Sequence, residues 1–85
     1  MKLTTAGVRE LADLARERDE QLKLAGHDLA GLGLYKANLS GADLSDTDLT
    51  HINIARGDLT GANLSKARTK GAEFEKAKLK DVKGL

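Results

Sequence analysis

The sequence contains no cysteine, which excludes both a disulfide framework and a thiolate zinc site as supports for the fold. Proline and tryptophan are also absent, and there is one tyrosine and one phenylalanine. Neither sign of charge dominates. Fourteen Lys+Arg stand against thirteen Asp+Glu, a net charge of +1, so the protein as a whole is neither strongly acidic nor strongly basic. No apolar run approaches the ~18 residues that a membrane span requires, and the N-terminus lacks the apolar segment of a signal peptide. The expectation is a soluble, cytoplasmic protein, or part of an intracellularly assembled particle. With 85 residues the chain forms one small domain, too short to bury a large conventional core.

What is abundant is order of another kind. From Leu22 the chain divides into units of five: LKLAG, HDLAG, LGLYK, ANLSG, ADLSD, TDLTH, INIAR, GDLTG, ANLSK, ARTKG, AEFEK, AKLKD and a truncated VKGL. The third position carries Leu24, Leu29, Leu34, Leu39, Leu44, Leu49, Ile54, Leu59, Leu64, Thr69, Phe74, Leu79 and Gly84. Eleven of these thirteen are large and apolar, and they form the predicted core. The first position is small or apolar except at His27 and Thr47; the rest are mostly Asp, Asn, Ser, Thr, Gly and Lys.

A period of five fits neither common element. On an α-helix, five residues advance the side chain by ~140° beyond full turns, which scatters the leucines around the circumference. On a flat strand an odd period sends successive leucines to opposite faces. One buried face survives only if the chain turns a corner in every unit. Gly31, Gly41, Gly61 and Gly71, with Asp46 and Asp81, hold the fifth position and suit such corners. The chain must wind into a solenoid, each unit one side of a coil, with large residues inside.

The units ANLSG, ADLSD and ANLSK follow an A(D/N)LXX pattern that resembles the pentapeptide-repeat family, over about residues 22–85. That resemblance implies an all-β solenoid, a right-handed quadrilateral β-helix with twenty residues per coil, here about three coils. It implies end-to-end pairing of C-terminal coils, since relatives often dimerise there. It also raises a second function, because some relatives imitate duplex DNA, bind type II topoisomerases and protect against quinolones.

Residues 1–21 read as a separate N-terminal capping helix. Val8, Leu11, Ala12 and Ala15 fall at helical spacing. Arg9–Asp13 and Arg16–Glu20 form i,i+4 charge pairs, Thr4 or Thr5 serves as N-cap, and Gly7 weakens the first turn. Such a helix would cover Leu22, Leu24 and Leu29. No equivalent lid follows the last unit, so Phe74, Leu79, Val82 and Leu85 form the candidate interface, for a protein partner or a second copy. Charge gathers there too. Residues 65–85 hold Lys66, Arg68, Lys70, Lys76, Lys78, Lys80 and Lys83 against three acidic residues, while residues 27–64 carry two basic and five acidic. Lysines on an open edge discourage aggregation, and they also form a candidate basic surface for an anionic partner.

Catalytic chemistry has no foothold in this pattern. His27 and His51 are too few for a metal site, and Asp43, Asp46 and Asp48 lack calcium-loop spacing. No phosphate loop or nucleophile motif occurs. No catalytic residue, metal or cofactor is predicted, and the chain reads as a non-enzymatic structural and protein–protein interaction module, forming a homo-oligomer or docking into a larger assembly. DNA mimicry is the alternative, but it requires a long acidic rod, whereas about three coils stack to only ~15 Å. A further alternative is nucleic-acid or other anionic binding through the basic last coil. Single-strand stacking is disfavoured, since no aromatic side chains lie among those lysines.

Overall fold

The computed structural model describes residues 2–85. The local cause of the fold repeats in every unit. The third residue points inward, and the N–H of the next unit's first residue donates to its carbonyl, closing a turn. These bonds run from His27–Leu24 to Val82–Leu79 at 2.8–3.3 Å, except at Leu44, whose carbonyl accepts the Thr47 hydroxyl instead. Within each turn the fifth residue adopts positive φ, as a type II turn requires at its third position. Glycine occupies this site at residues 26, 31, 41, 61 and 71, with φ of 70–77°. Non-glycine residues adopt the same conformation at Lys36, Asp46, His51, Arg56, Lys66, Lys76 and Asp81, with φ of 57–62°.

Asp and Asn at the second position brace the turn. The Oδ1 atom accepts the backbone N–H two residues on at Asp28, Asn38, Asp43, Asp48, Asn53, Asp58 and Asn63, at 2.9–3.1 Å. Ser40, Ser45, Thr50 and Thr60 add a hydroxyl donated to the same oxygen. This is the Asx-turn bond, repeated as a structural member.

Successive coils then stack in parallel at an offset of twenty residues, four units per coil. Lys23 pairs with Asp43, Asp43 with Asn63, and Asn63 with Lys83, and the other three sides follow the same register. Each side contributes one bridged residue per coil, too short for a conventional strand. The inter-coil bonds measure 2.7–3.1 Å. They follow one rule: third- and fifth-position N–H groups donate to the following coil, and the first-position carbonyl accepts from it.

The interior is a column of side chains. Leu24, Leu29, Leu34, Leu39, Leu44, Leu49, Ile54, Leu59 and Leu64 are at most 2% exposed, joined by Leu32, Ala37, Ala42, Ile52 and Ala62. Thr47 is buried, and its hydroxyl donates to the Leu44 carbonyl at 2.6 Å. At Gly57 an added Cβ would stand 2.9 Å from Ile54 Cγ1 and 3.0 Å from the Ala37 carbonyl oxygen, so that corner has no room for a methyl group. His27, read from sequence as inward-tending, is exposed, because a buried imidazole would find no partner in this apolar column.

Before the solenoid, Lys2 pairs in parallel with Asp28, and helix α1 spans Thr5–Glu17. Thr4 is the N-cap, its hydroxyl accepting the Gly7 N–H at 3.0 Å. An added Cβ on Gly7 would lie 3.0 Å from that oxygen, so this glycine makes room for the cap as well as weakening the turn. The helix ends at Glu17, within the segment 1–21 that the sequence sets apart. Asp19 turns left-handed (φ 53°), its N–H bonds the Arg16 carbonyl, and the Glu20 N–H bonds that of Ala15, a Schellman closure.

The helix buries Val8 and Ala12 in the same apolar cluster as the leucines, with Ala15 half-buried beside them. Leu11 departs from the sequence expectation. It is 40% exposed, as is Leu14, because the buried stripe follows residues 8, 12 and 15 and both leucines lie off it. The charge pairs differ as well. Arg16 pairs with Asp13, not Glu20, and Arg9 turns away from Asp13 to donate to the Gly33 and Tyr35 carbonyls. A guanidinium beside unpaired carbonyls gains more than one in a solvated ion pair.

Candidate docking site

The two ends of a parallel solenoid are chemically unlike, and the difference starts with the backbone rule. Above the first coil the second- and fourth-position carbonyls have no coil to accept from. The N-terminal segment supplies donors to them. The Leu3 N–H reaches the Asp28 carbonyl at 3.3 Å, Lys2 Nζ that of Ala30, Arg9 those of Gly33 and Tyr35, and Arg16 that of Asn38 at 3.1 Å. Gln21 donates to Gly41, and Thr5 accepts the Gly33 N–H at 3.2 Å. None of these contacts was foreseen from sequence. The only available signal was a set of cationic residues on a helix of narrow apolar face.

The opposite end is bare. Among the described residues the third- and fifth-position N–H groups of the last twenty residues, at Lys66, Thr69, Gly71, Phe74, Lys76, Leu79, Asp81 and Gly84, have no acceptor. The first-position carbonyls of Ala67, Ala72, Ala77 and Val82 have no donor. The apolar column emerges here. Phe74 and Val82 are half-buried, Leu79 is 39% exposed and Leu85 61%. Phe74 still packs against the buried leucines, whereas Leu79 lies at the rim, since no coil lies beneath it among the described residues.

The last coil also loses its braces. Arg68, Glu73, Lys78 and Lys83 stand where the coil before carries Asp48, Asn53, Asp58 and Asn63, so no Asx bond holds its turns. Around this rim Lys66, Arg68, Lys70, Lys76, Lys78, Lys80 and Lys83 are all exposed. The ion pairs among the described residues, Lys2–Asp28 at 3.4 Å and Asp13–Arg16, include none of them. On one corner Lys36, Arg56 and Lys76 stack one coil apart, with Lys36 Nζ 5.5 Å from the Tyr35 ring centre.

The acidic side chains lie mainly on the earlier coils, and their hydrogen bonds hold them ionised. Ser45 hydroxyl and N–H bonds lower the pKa of Asp43, Thr50 those of Asp48, and Thr60 those of Asp58. The Ala30 N–H does the same for Asp28. The two histidines are exposed on separate coils, and no cluster of three or more metal-ligating side chains occurs among the described residues. No helix there is long and apolar enough to cross a membrane. An open groove of about 210 Å³ lies between α1 and the first coil, and Arg9 and Arg16, which line it, already bond carbonyls. The arrangement suits docking, with an apolar centre, a ring of cations and unpaired backbone groups.

Residues 20–50 and 58–83 match the family model for pentapeptide repeats. Among solved structures, the chain is similar to the pentapeptide repeat protein Rfr23 of the cyanobacterium Cyanothece 51142, at 26% identity and a TM-score of 0.70. The similarity covers 74% of this chain and 44% of that one, so the present chain spans less than half of that relative. No curated protein matches the sequence.

Proposed function

The chain belongs to the pentapeptide-repeat family, and its solenoid is a right-handed β-helix; from that premise we propose a non-enzymatic interaction module that docks through its last coil. The rod has about three coils, with α1 as the lid on its first. A protein partner, or a second copy, occupies the other end.

The observation that carries this reading is the change in burial along one column. Inward residues from Leu24 to Leu64 are at most 2% exposed, whereas Leu79 is 39% exposed in the same register. Covering that leucine together with Phe74, Val82 and Leu85 removes apolar surface from water at ~25 cal/mol per Å². It also gives the edge amides partners. Mimicry of DNA draws no support from the charges, because the end available for contact is basic.

Hydrogen exchange tests the proposal. The chain is incubated in an extract of its own cells and, separately, in buffer. Added protection concentrated in residues 69–85 supports docking there. Protection confined to α1 or to the Lys36–Arg56 corner, or none at all, contradicts it.

A further inference from the structure

We propose that the partner of the last coil is an acidic protein segment rich in hydrogen-bond acceptors, and not a second copy of this chain. This rests on docking through that coil, and adds the chemistry of what docks.

The inference follows from counting backbone groups at the two ends. In each unit, two N–H groups and one carbonyl face the following coil. The last coil therefore presents twice as many donors as acceptors. Two copies meeting through these faces would set donor against donor, leaving at least half of the amides without an acceptor. Buried amides left unpaired are costly. Such a stack would also bring two rings of unpaired lysines together in a contact of falling dielectric, where like charges repel more strongly.

The other end shows what a matched surface looks like. There the exposed groups are mainly carbonyls, and the chain covers them with Lys2, Arg9, Arg16 and Gln21, with Thr5 accepting the single Gly33 N–H. Donors face acceptors, and cations sit at the carbonyl-rich end. The mirror requirement at the last coil is a segment supplying carboxylates and carbonyls, with an apolar side chain or two to meet Phe74 and Leu79. Glu and Asp side chains satisfy both the edge amides and Lys80 and Lys83 by charge-assisted bonds.

Titrating the ¹⁵N-labelled 85-residue chain with an oligoglutamate peptide tests this at low salt. The largest amide shifts are expected at Thr69, Gly71, Phe74, Leu79 and Asp81, fading as salt is added. The double change Lys80→Glu with Lys83→Glu weakens binding about fivefold or more, while Arg56→Glu, on a remote corner, leaves it within about twofold. Tighter binding to a DNA duplex of equal charge would overturn the choice of an acidic protein. Concentration-dependent shifts at the same amides without peptide would overturn it in favour of a second copy, yet leave docking through this coil standing. Absence of peptide-induced shifts at these amides, with none on raising protein concentration, would remove both.

Discussion

At the scale of single residues, the fifth position decides whether the chain can turn. Gly41 has φ 70° and no heavy atom within 4 Å of where a Cβ would sit, so its substitution isolates backbone strain from packing. Gly41→Ala should destabilise the fold by about 1 kcal/mol, read as a drop in melting temperature of roughly 4–8 °C. Gly57→Ala meets Ile54 and the Ala37 carbonyl instead, and should cost more, ~1–3 kcal/mol by overpacking. Equal losses at the two sites in thermal melts would contradict the distinction.

The second-position carboxylates set a pH dependence. Hydrogen bonds hold Asp43, Asp48 and Asp58 below the ordinary carboxylate value of about 4 in the folded chain. Their contribution is fully present above that value and is lost as pH falls through the lower folded values. Melting temperature should therefore fall below about pH 4. Asn at all three positions keeps the Oδ1 acceptor, as Asn38, Asn53 and Asn63 do, and should flatten that fall. An acid limb unchanged in the triple variant would show that these bonds do not contribute.

At the scale of elements, α1 and the last coil are opposite solutions to the same edge. Replacing Arg9 and Arg16 with Ala leaves the Gly33, Tyr35 and Asn38 carbonyls to solvent and should cost about 1–2 kcal/mol together in urea denaturation. Deleting residues 1–20 should expose Leu22, Leu24 and Leu29 and produce aggregation, followed by light scattering. A soluble truncated chain with an unchanged melting temperature would remove the lid role. The helix itself was visible in sequence through Val8, Ala12 and Ala15. Its seating was not, because helical periodicity identifies an apolar stripe without saying which neighbouring carbonyls its arginines will meet. Leu11 misled for the same reason, since a stripe of small residues outweighed the larger side chain beside it.

At the scale of the whole molecule, the period of five was legible from Leu24 onward because a solenoid writes its geometry into every unit. The offset of twenty was not derivable from period alone; the family resemblance supplied it. The end proposed for docking was legible only in part. An unlidded terminus and its lysines can be read from residue types, but the excess of amides belongs to the backbone and leaves no trace in side-chain identity. Leu59→Asp places an unpaired charge in the column between Leu39 and Leu79 and should abolish cooperative unfolding. A cooperative melt near that of the parent chain would be incompatible with a dry interior.

The most direct measurement is scalar coupling across hydrogen bonds in solution, from the Leu44 amide to the Asn63 carbonyl and from the Leu49 amide to the Arg68 carbonyl. A solenoid with four units per coil gives both couplings, each spanning nineteen residues, as the 2.8 and 2.7 Å bonds require. Couplings from these amides to carbonyls four residues earlier would instead establish a continuous helix, and would contradict the fold on which the docking end depends.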